Sequence, residues 1–486
     1  MSQAVSTLTR FQAVPAVHAQ PALDRAPFRW TARNQDQLPV QPRGELPSWL
    51  SGQLVRTAPA VFETEGWRAA HWFDGLGLMY GFNFGPQGVT FRQRLLASKA
   101  AQHAAAGGNR MGSFGTPMKR SFFQRLVQPA PPLTDNTNVN VVPWQGAWLA
   151  MTETPAQHVI GSDDMATRGL YEYQDELPKG MNTTAHPHYD FVGNALVNLG
   201  TTFGPKSEIS VFRQGPHDKA RTLEGKLAFS RTPYLHDFGV TARHVVLIEH
   251  PLRVNALSLL WTDRPFIERF KWQPETGTFL HLFDRKRGSW TRYETETLFC
   301  FHVVNTFEQG DDVVFDFVAF DDASVIDALT TDKLARGKLP NFAPRYVRAR
   351  LRPGAKRVEL EQLSNVGFDF PAINYARVHG RPYRYAWGLA LHDATDGWRS
   401  EVVRLDREQP EVRRFSEPDV TYGEPVFVPR PGAQEEDDGV LLSVGSHLRE
   451  DRATLAVIDA RTMEALAHCD VELALPLGFH GNFRAL

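Results

Sequence analysis

The sequence predicts an all-β fold with a closed or radial arrangement of sheets. Three observations carry this. Short apolar or alternating stretches recur along the chain, each bounded by Gly, Pro, Asn or Asp. Helical periodicity is scarce, with 323–336 the best candidate. No linker divides the 486 residues. One large closed unit therefore fits better than the roughly three domains that a prior of about 150 residues each suggests.

Taken in order, residues 1–42 read as a flexible arm, in which Pro15, Pro21 and Pro27 break any helix. Residues 43–486 read as a single domain. Strands are predicted at 52–57 and 78–84, separated by turns such as Gly85-Pro86-Gln87-Gly88. Before the second comes His71-Trp72-Phe73-Asp74-Gly75, whose Asp-Gly forms a turn and whose aromatics cap a sheet. The stretch 118–127 differs. Phe122, Phe123, Leu126 and Val127 share a helical face, with Lys119, Arg120 and Arg125 beside it. Such a piece suits a membrane interface or a surface helix packed on the body. Strands resume at 138–142, 148–152 and 195–199, and continue at 245–249, 313–320, 358–360, 385–391, 426–428, 440–444 and 454–458. The acidic run 435–438 reads as a solvated turn. No strict repeat fixes the number of sheets.

Composition narrows the function. Hydrophobic residues make up 42% and charged residues 22%, as in ordinary globular proteins. A formal net charge of −2 argues against a broad nucleic-acid footprint. Two cysteines, Cys300 and Cys469, form neither a disulfide framework nor a thiolate cage, which fits a reducing compartment. Neither a secretory signal nor a membrane-spanning run is read.

Chemistry centres on histidine. His186, His236, His302 and His480 each sit in an apolar or small-residue setting, far apart in the chain. Converging at one focus, four imidazoles suit iron, copper, nickel or zinc. Among 17 histidines such contexts also arise by chance, and spacing alone does not choose between His186 and His188. Three acids lie among apolar neighbours: Glu153, Asp369 and Glu424. Burial without a partner is costly for them, and metal-bound imidazole commonly donates its second N–H to a carboxylate.

These residues resemble the carotenoid cleavage oxygenases. The resemblance runs from about Arg43 to the C-terminus. It rests on His71-Trp72-Phe73-Asp74-Gly75, Thr152-Glu153-Thr154, Thr184-Ala185-His186-Pro187, His236-Asp237-Phe238, Phe301-His302 with Asn305, Phe370-Pro371-Ala372-Ile373-Asn374, Glu424-Pro425-Val426-Phe427-Val428, Glu435-Glu436-Asp437-Asp438-Gly439 and Phe479-His480-Gly481, in that order.

The resemblance implies a seven-bladed β-propeller with a capping loop and helix region over an iron-centred axis. It implies Fe(II) held by His186, His236, His302 and His480, with His188 outside the pattern. Glu153, Asp369 and Glu424 fall on the acids that orient the ligand rings. Asp369 departs from the family, where Glu is usual; its contact is then either direct, with a backbone shift, or bridged by water. The implied reaction is oxidative cleavage of a conjugated C=C bond of a carotenoid or apocarotenoid by dioxygen, giving two carbonyl products. Stilbene-cleaving members carry Lys at the position of Thr152, a residue expected in the substrate tunnel, so a stilbenoid substrate is the weaker alternative. A non-catalytic polyene-binding propeller is a second alternative. The Thr-Glu-Thr form resembles the animal-type branch, and 118–127 falls where that branch has its membrane patch. A cytoplasmic, peripherally membrane-associated enzyme is expected.

Overall fold

A computed structural model describes residues 26–486, apart from 261, 337–343 and 392–398. The expected arm therefore lies, for residues 1–25, outside the described residues. Antiparallel pairing of strands adjacent in sequence builds most sheets. Among the described residues, seven sheets hold four to six strands each.

Buried apolar clusters join these sheets in chain order. Val55 and Met79 of the first sheet pack with Val141 and Trp148 of the second. Leu149 and Met151 meet Ala185 and Leu196 of the third. Leu199 and Val211 meet Val245 and Phe283 of the fourth. Ile248 and Leu280 pack on Phe315 and Phe317, Val314 and Val318 on Ala386 and Val403, and Trp387 and Val402 on Leu441 and Ala456. The seventh sheet then returns to the first, with Leu442 and Leu455 against Leu54 and Phe82. Each fully buried side chain of this kind stabilises by about 1.5–3 kcal/mol, so every junction holds its neighbours.

Two strand exchanges complete the circuit. The C-terminal strand Gly481–Ala485 pairs antiparallel with Gly52–Val61. Pro42–Gly44 pairs with Ala465–Val471. The close approach of the C-terminal strand needs Gly481, where a Cβ would meet Cγ of Arg56 at 2.5 Å and the Val55 carbonyl at 2.7 Å.

Several expectations are corrected. Residues 35–42 are not an arm: Gln35–Val40 pairs with Gly88–Leu95 at a sheet edge. An edge strand needs little alternation, and in this one every residue before Val40 is half-buried or exposed. The helix at 323–336 is two short helices, Ser324–Ala328 and Thr331–Ala335. Between them the chain bonds elsewhere: the Leu329 carbonyl accepts from Trp72 N, and Thr331 N donates to the Ala70 carbonyl. The acidic run 435–438 is not simply solvated. Asp437 is buried and pairs with Arg404 at 2.8 Å and Arg461 at 3.0 Å. Both oxygens of Glu436 accept from Arg384 N at 3.0 Å, and Oε1 also accepts from Tyr385 N at 2.7 Å. Among the described residues no helix is long and apolar enough to cross a membrane.

Candidate metal centre

Four separate segments deliver the four histidines. His186 follows the strand Asn182–Thr183, and His236 follows Thr232–Pro233. His302 lies within Phe299–Gln309, where the pairing register shifts. His480 immediately precedes Gly481–Ala485. Their candidate ligand nitrogens all lie within 4.8 Å of one another. Nε2 of His186 is 3.0 Å from Nε2 of His236, and Nε2 of His302 is 3.2 Å from that of His480. Metal–nitrogen bonds of about 2.0–2.1 Å place neighbouring imidazole nitrogens about 3–3.4 Å apart, so the spacing fits a shared ion.

Carboxylates turn three of the rings. Nδ1 of His236 donates to Glu153, Nδ1 of His302 to Asp369 at 2.6 Å, and Nδ1 of His480 to Glu424 at 2.7 Å. This leaves each Nε2 lone pair facing the focus. Burial, and then the neighbouring rings, hold His480 well below the usual histidine range. His186 is also held well below it, by burial first and with the other three rings adding to the effect. For His302 burial opposes protonation, but the charge and hydrogen bond of Asp369 outweigh it and raise its pKa. Rings kept neutral are the form that binds a metal.

The supporting shell extends further. Tyr234 OH donates to both oxygens of Glu153, at 3.0 and 2.9 Å. Burial lifts the Glu424 carboxyl to about 7, even with the Arg56 guanidinium 3.4 Å away. Arg56 itself is fully buried and donates to the carbonyls of Glu424 at 2.9 Å and Phe479 at 3.0 Å. It therefore fixes the backbone carrying both the acid and the residue before His480. Asp237 ties three ligand segments together. Its Oδ1 accepts from Phe238 N at 2.7 Å and His188 Nε2 at 2.9 Å, and its Oδ2 from Val303 N at 2.7 Å.

Sequence reasoning missed Arg56, Tyr234 and the bridging by Asp237. One signal was available for Arg56: a lone Arg inside the apolar run 52–61, every residue of which but the last is buried. His188, the alternative to His186, faces Asp237 and stacks on His379 with ring centroids 5.2 Å apart.

Asp369 makes its contact directly. The strand Asp369–Ala372 shifts register against Tyr385–Leu391, a bulge that re-aims side chains. Phe370 takes a left-handed φ of 50° there. Gly388 on the paired strand makes room, since a Cβ would lie 2.2 Å from the Phe368 ring and 2.8 Å from the Asp369 carbonyl.

His236, His302 and His480, but not His186, line a cavity together with Glu153, Asp369 and Thr152. Aromatic rings line it beside the histidines: Phe301 lies 5.0 Å from His236, and Phe73 5.3 Å from Phe479 and 6.1 Å from Phe301, between ring centroids. Asp74, from the His71–Gly75 motif, accepts from Phe114 N, Gly115 N and Thr116 Oγ1 at 2.7–2.9 Å and pins the loop above.

At 118–127 the structure places a helix, Phe122–Val127, closed by a capping box between Ser121 and Gln124. Phe122, Phe123, Leu126 and Val127 are 68%, 75%, 62% and 85% exposed. Lys119 is exposed and Arg125 half-buried. Arg120 is corrected: its side chain is only 5% exposed and pairs with Asp263 at 2.9 Å, and it also donates to the Thr262 carbonyl at 3.0 Å. It anchors the helix to the body instead of facing headgroups.

The family model described as retinal pigment epithelial membrane protein matches residues 28–485. The carotenoid-cleaving dioxygenase, mitochondrial, of Pongo abelii is 28% identical, over 91% of each chain. The carotenoid isomerooxygenase of Galleria mellonella is 29% identical, over 90% of this chain and 92% of that protein. Human beta,beta-carotene 15,15'-dioxygenase is 27% identical, over 93% of each. A mutant of Synechocystis apocarotenoid oxygenase superposes with a TM-score of 0.84 at 24% identity, covering 95% of this chain and 98% of that one. At that identity the likeness shows a common fold.

Proposed function

The chain belongs to the family of the retinal pigment epithelial membrane protein and the carotenoid oxygenases, and on that premise we propose that it is a non-haem Fe(II) dioxygenase. Its substrate is a carotenoid or apocarotenoid, cleaved at one conjugated C=C bond. The bond takes up both atoms of one dioxygen molecule and yields two carbonyl products. The observation that carries this reading is the convergence of four histidines on one focus, three of them lining an aromatic-rich cavity. In this reading seven sheets are seven blades, since their cores join in sequence and the last packs on the first.

His186, His236, His302 and His480 are the residues that would hold the iron. Ferrous iron, when bound, supplies the activation of dioxygen that such a cleavage needs. The chain's own residues do the rest. Glu153, Asp369 and Glu424 hold three rings in one tautomer and direction. The cavity's aromatic wall, Phe73, Phe301 and Phe479 among it, fits the flat face of a polyene and excludes water. Rigid strands keep the chosen double bond beside the metal focus.

Thr152 lines the cavity and is 8% exposed. It offers a neutral hydroxyl where a phenolate would call for a cation, which disfavours a stilbenoid. The exposed apolar residues of Phe122–Val127 support peripheral attachment to a membrane, the source of such a substrate. Two buried free cysteines are consistent with a cytoplasmic setting.

Metal analysis and product identification test the reading together. The purified protein should hold about one iron per chain and convert a carotene or an apocarotenal, but not resveratrol, to paired carbonyl products. Polyene binding with no iron and no products would leave a binding protein instead.

A further inference from the structure

Arg269 is the one cation lining the cavity among the described residues, and it is 9% exposed. It ends the short turn Ile267–Arg269. Its Nε donates to the Arg264 carbonyl at 3.1 Å, one terminal nitrogen to the Leu259 carbonyl at 3.2 Å, and the other again to Arg264. A guanidinium carries five N–H donors in a planar fork. Each terminal nitrogen therefore keeps one N–H that no described residue takes.

Among the described residues no carboxylate forms an ion pair with it. Asp263 is engaged by Arg120 at 2.9 Å, and Glu268 is exposed and makes no ion pair with it among the described residues. Asp74, a buried carboxylate that also lines the cavity, already accepts three hydrogen bonds. Burial, and then the charge of Arg120, lower the pKa of Arg269, and the charges of Asp263 and Glu268 offset this only in part. A nearly buried charge with spare donors is costly unless an acceptor arrives. Around it the wall is apolar, with Phe114 and Phe266.

We propose that Arg269 receives the oxygen-bearing end of the substrate, a terminal carbonyl or carboxylate oxygen of an apocarotenoid. This rests on the functional reading above and sharpens it. The planar fork suits a carboxylate oxygen pair or a carbonyl lone pair. Phe266 and Arg269 line the cavity a few residues after Thr262 and Asp263, which hold Arg120 beside the exposed helix. The apolar end of the polyene thus enters first, and the polar end stops at Arg269. The length from that end to the metal focus then selects the double bond that is cut.

The test compares Arg269→Met and Arg269→Lys with the wild-type iron-loaded enzyme. Three substrates are used: an apocarotenoic acid, the matching apocarotenal and hydrocarbon β-carotene. Binding is followed separately by quenching of tryptophan fluorescence, for which Trp72 in the cavity wall is a reporter. Arg269→Met should raise KM and the quenching constant for the acid and the aldehyde roughly ten-fold or more, with β-carotene little changed. Arg269→Lys should regain much of the affinity for the acid. Equal changes for all three substrates in both variants, or none, would overturn the assignment and leave Arg269 a structural residue. Wild-type protein that binds and cleaves none of the three would instead overturn the functional reading, and this assignment with it.

Discussion

Oδ1 of Asp369 lies 2.6 Å from Nδ1 of His302, a direct contact made by the shorter of the two acidic side chains. A bulge in the strand and the bare Cα of Gly388 bring the backbone close enough for it. Removing the charge while keeping the shape should therefore disturb the ring. Asp369→Asn is expected to lower turnover and iron affinity about ten- to hundred-fold. Gly388→Ala, whose Cβ would press on the Phe368 ring and the Asp369 carbonyl, should act in the same direction by displacing the Asp369 backbone. Steady-state rates and iron content check both, and wild-type values in Asp369→Asn would show that the acid does not orient His302.

Removing a ring altogether is a harsher change. His302→Ala leaves three imidazoles and a void beside Phe370, whose ring centroid lies 5.0 Å from that of His302. The variant should fold, retain little or no iron and show no turnover. Full activity with one iron per chain would refute His302 as a ligand.

Asp237 should matter without facing the metal focus. Its two oxygens accept three donors from three ligand segments. In Asp237→Asn an amide NH2 replaces one oxygen and faces an N–H. One or two buried donors lose their partner, at about 1–3 kcal/mol each. Thermal or denaturant unfolding should show that loss, and iron should dissociate faster. Unfolding and iron retention equal to wild type would remove the bridging role.

Membrane attachment is separable from chemistry. Phe122→Asp with Phe123→Asp replaces two exposed rings and leaves the Arg120–Asp263 anchor in place. Liposome sedimentation should show binding weakened at least about ten-fold. Activity on detergent-solubilised substrate should change little. Equal sedimentation of variant and wild type would remove the membrane claim.

Much of this protein was legible in residue order. Short, mostly apolar stretches marked inner strands such as Gly52–Val61 and Leu76–Gly85, because nearly every residue in them is buried, on both faces of the sheet. Motifs picked out four histidines and three acids, and the structure gathers all seven. Outer strands were less legible. Thr222–Phe229 is largely exposed or half-buried, so nothing forces an apolar rhythm on it.

What the chain alone determined is the chemistry on offer: neutral imidazoles, acids in apolar settings and strands to carry them. What only the folded molecule decided is who meets whom. Glu153 turns His236, Asp369 turns His302 and Glu424 turns His480, each across a gap between sheets. Arg120 turns inward to Asp263, and Arg269 lines the cavity with N–H groups that no described residue takes. The reason is physical. A strand's period sets which face a side chain takes, but its partner is set by the packing of sheets distant in sequence.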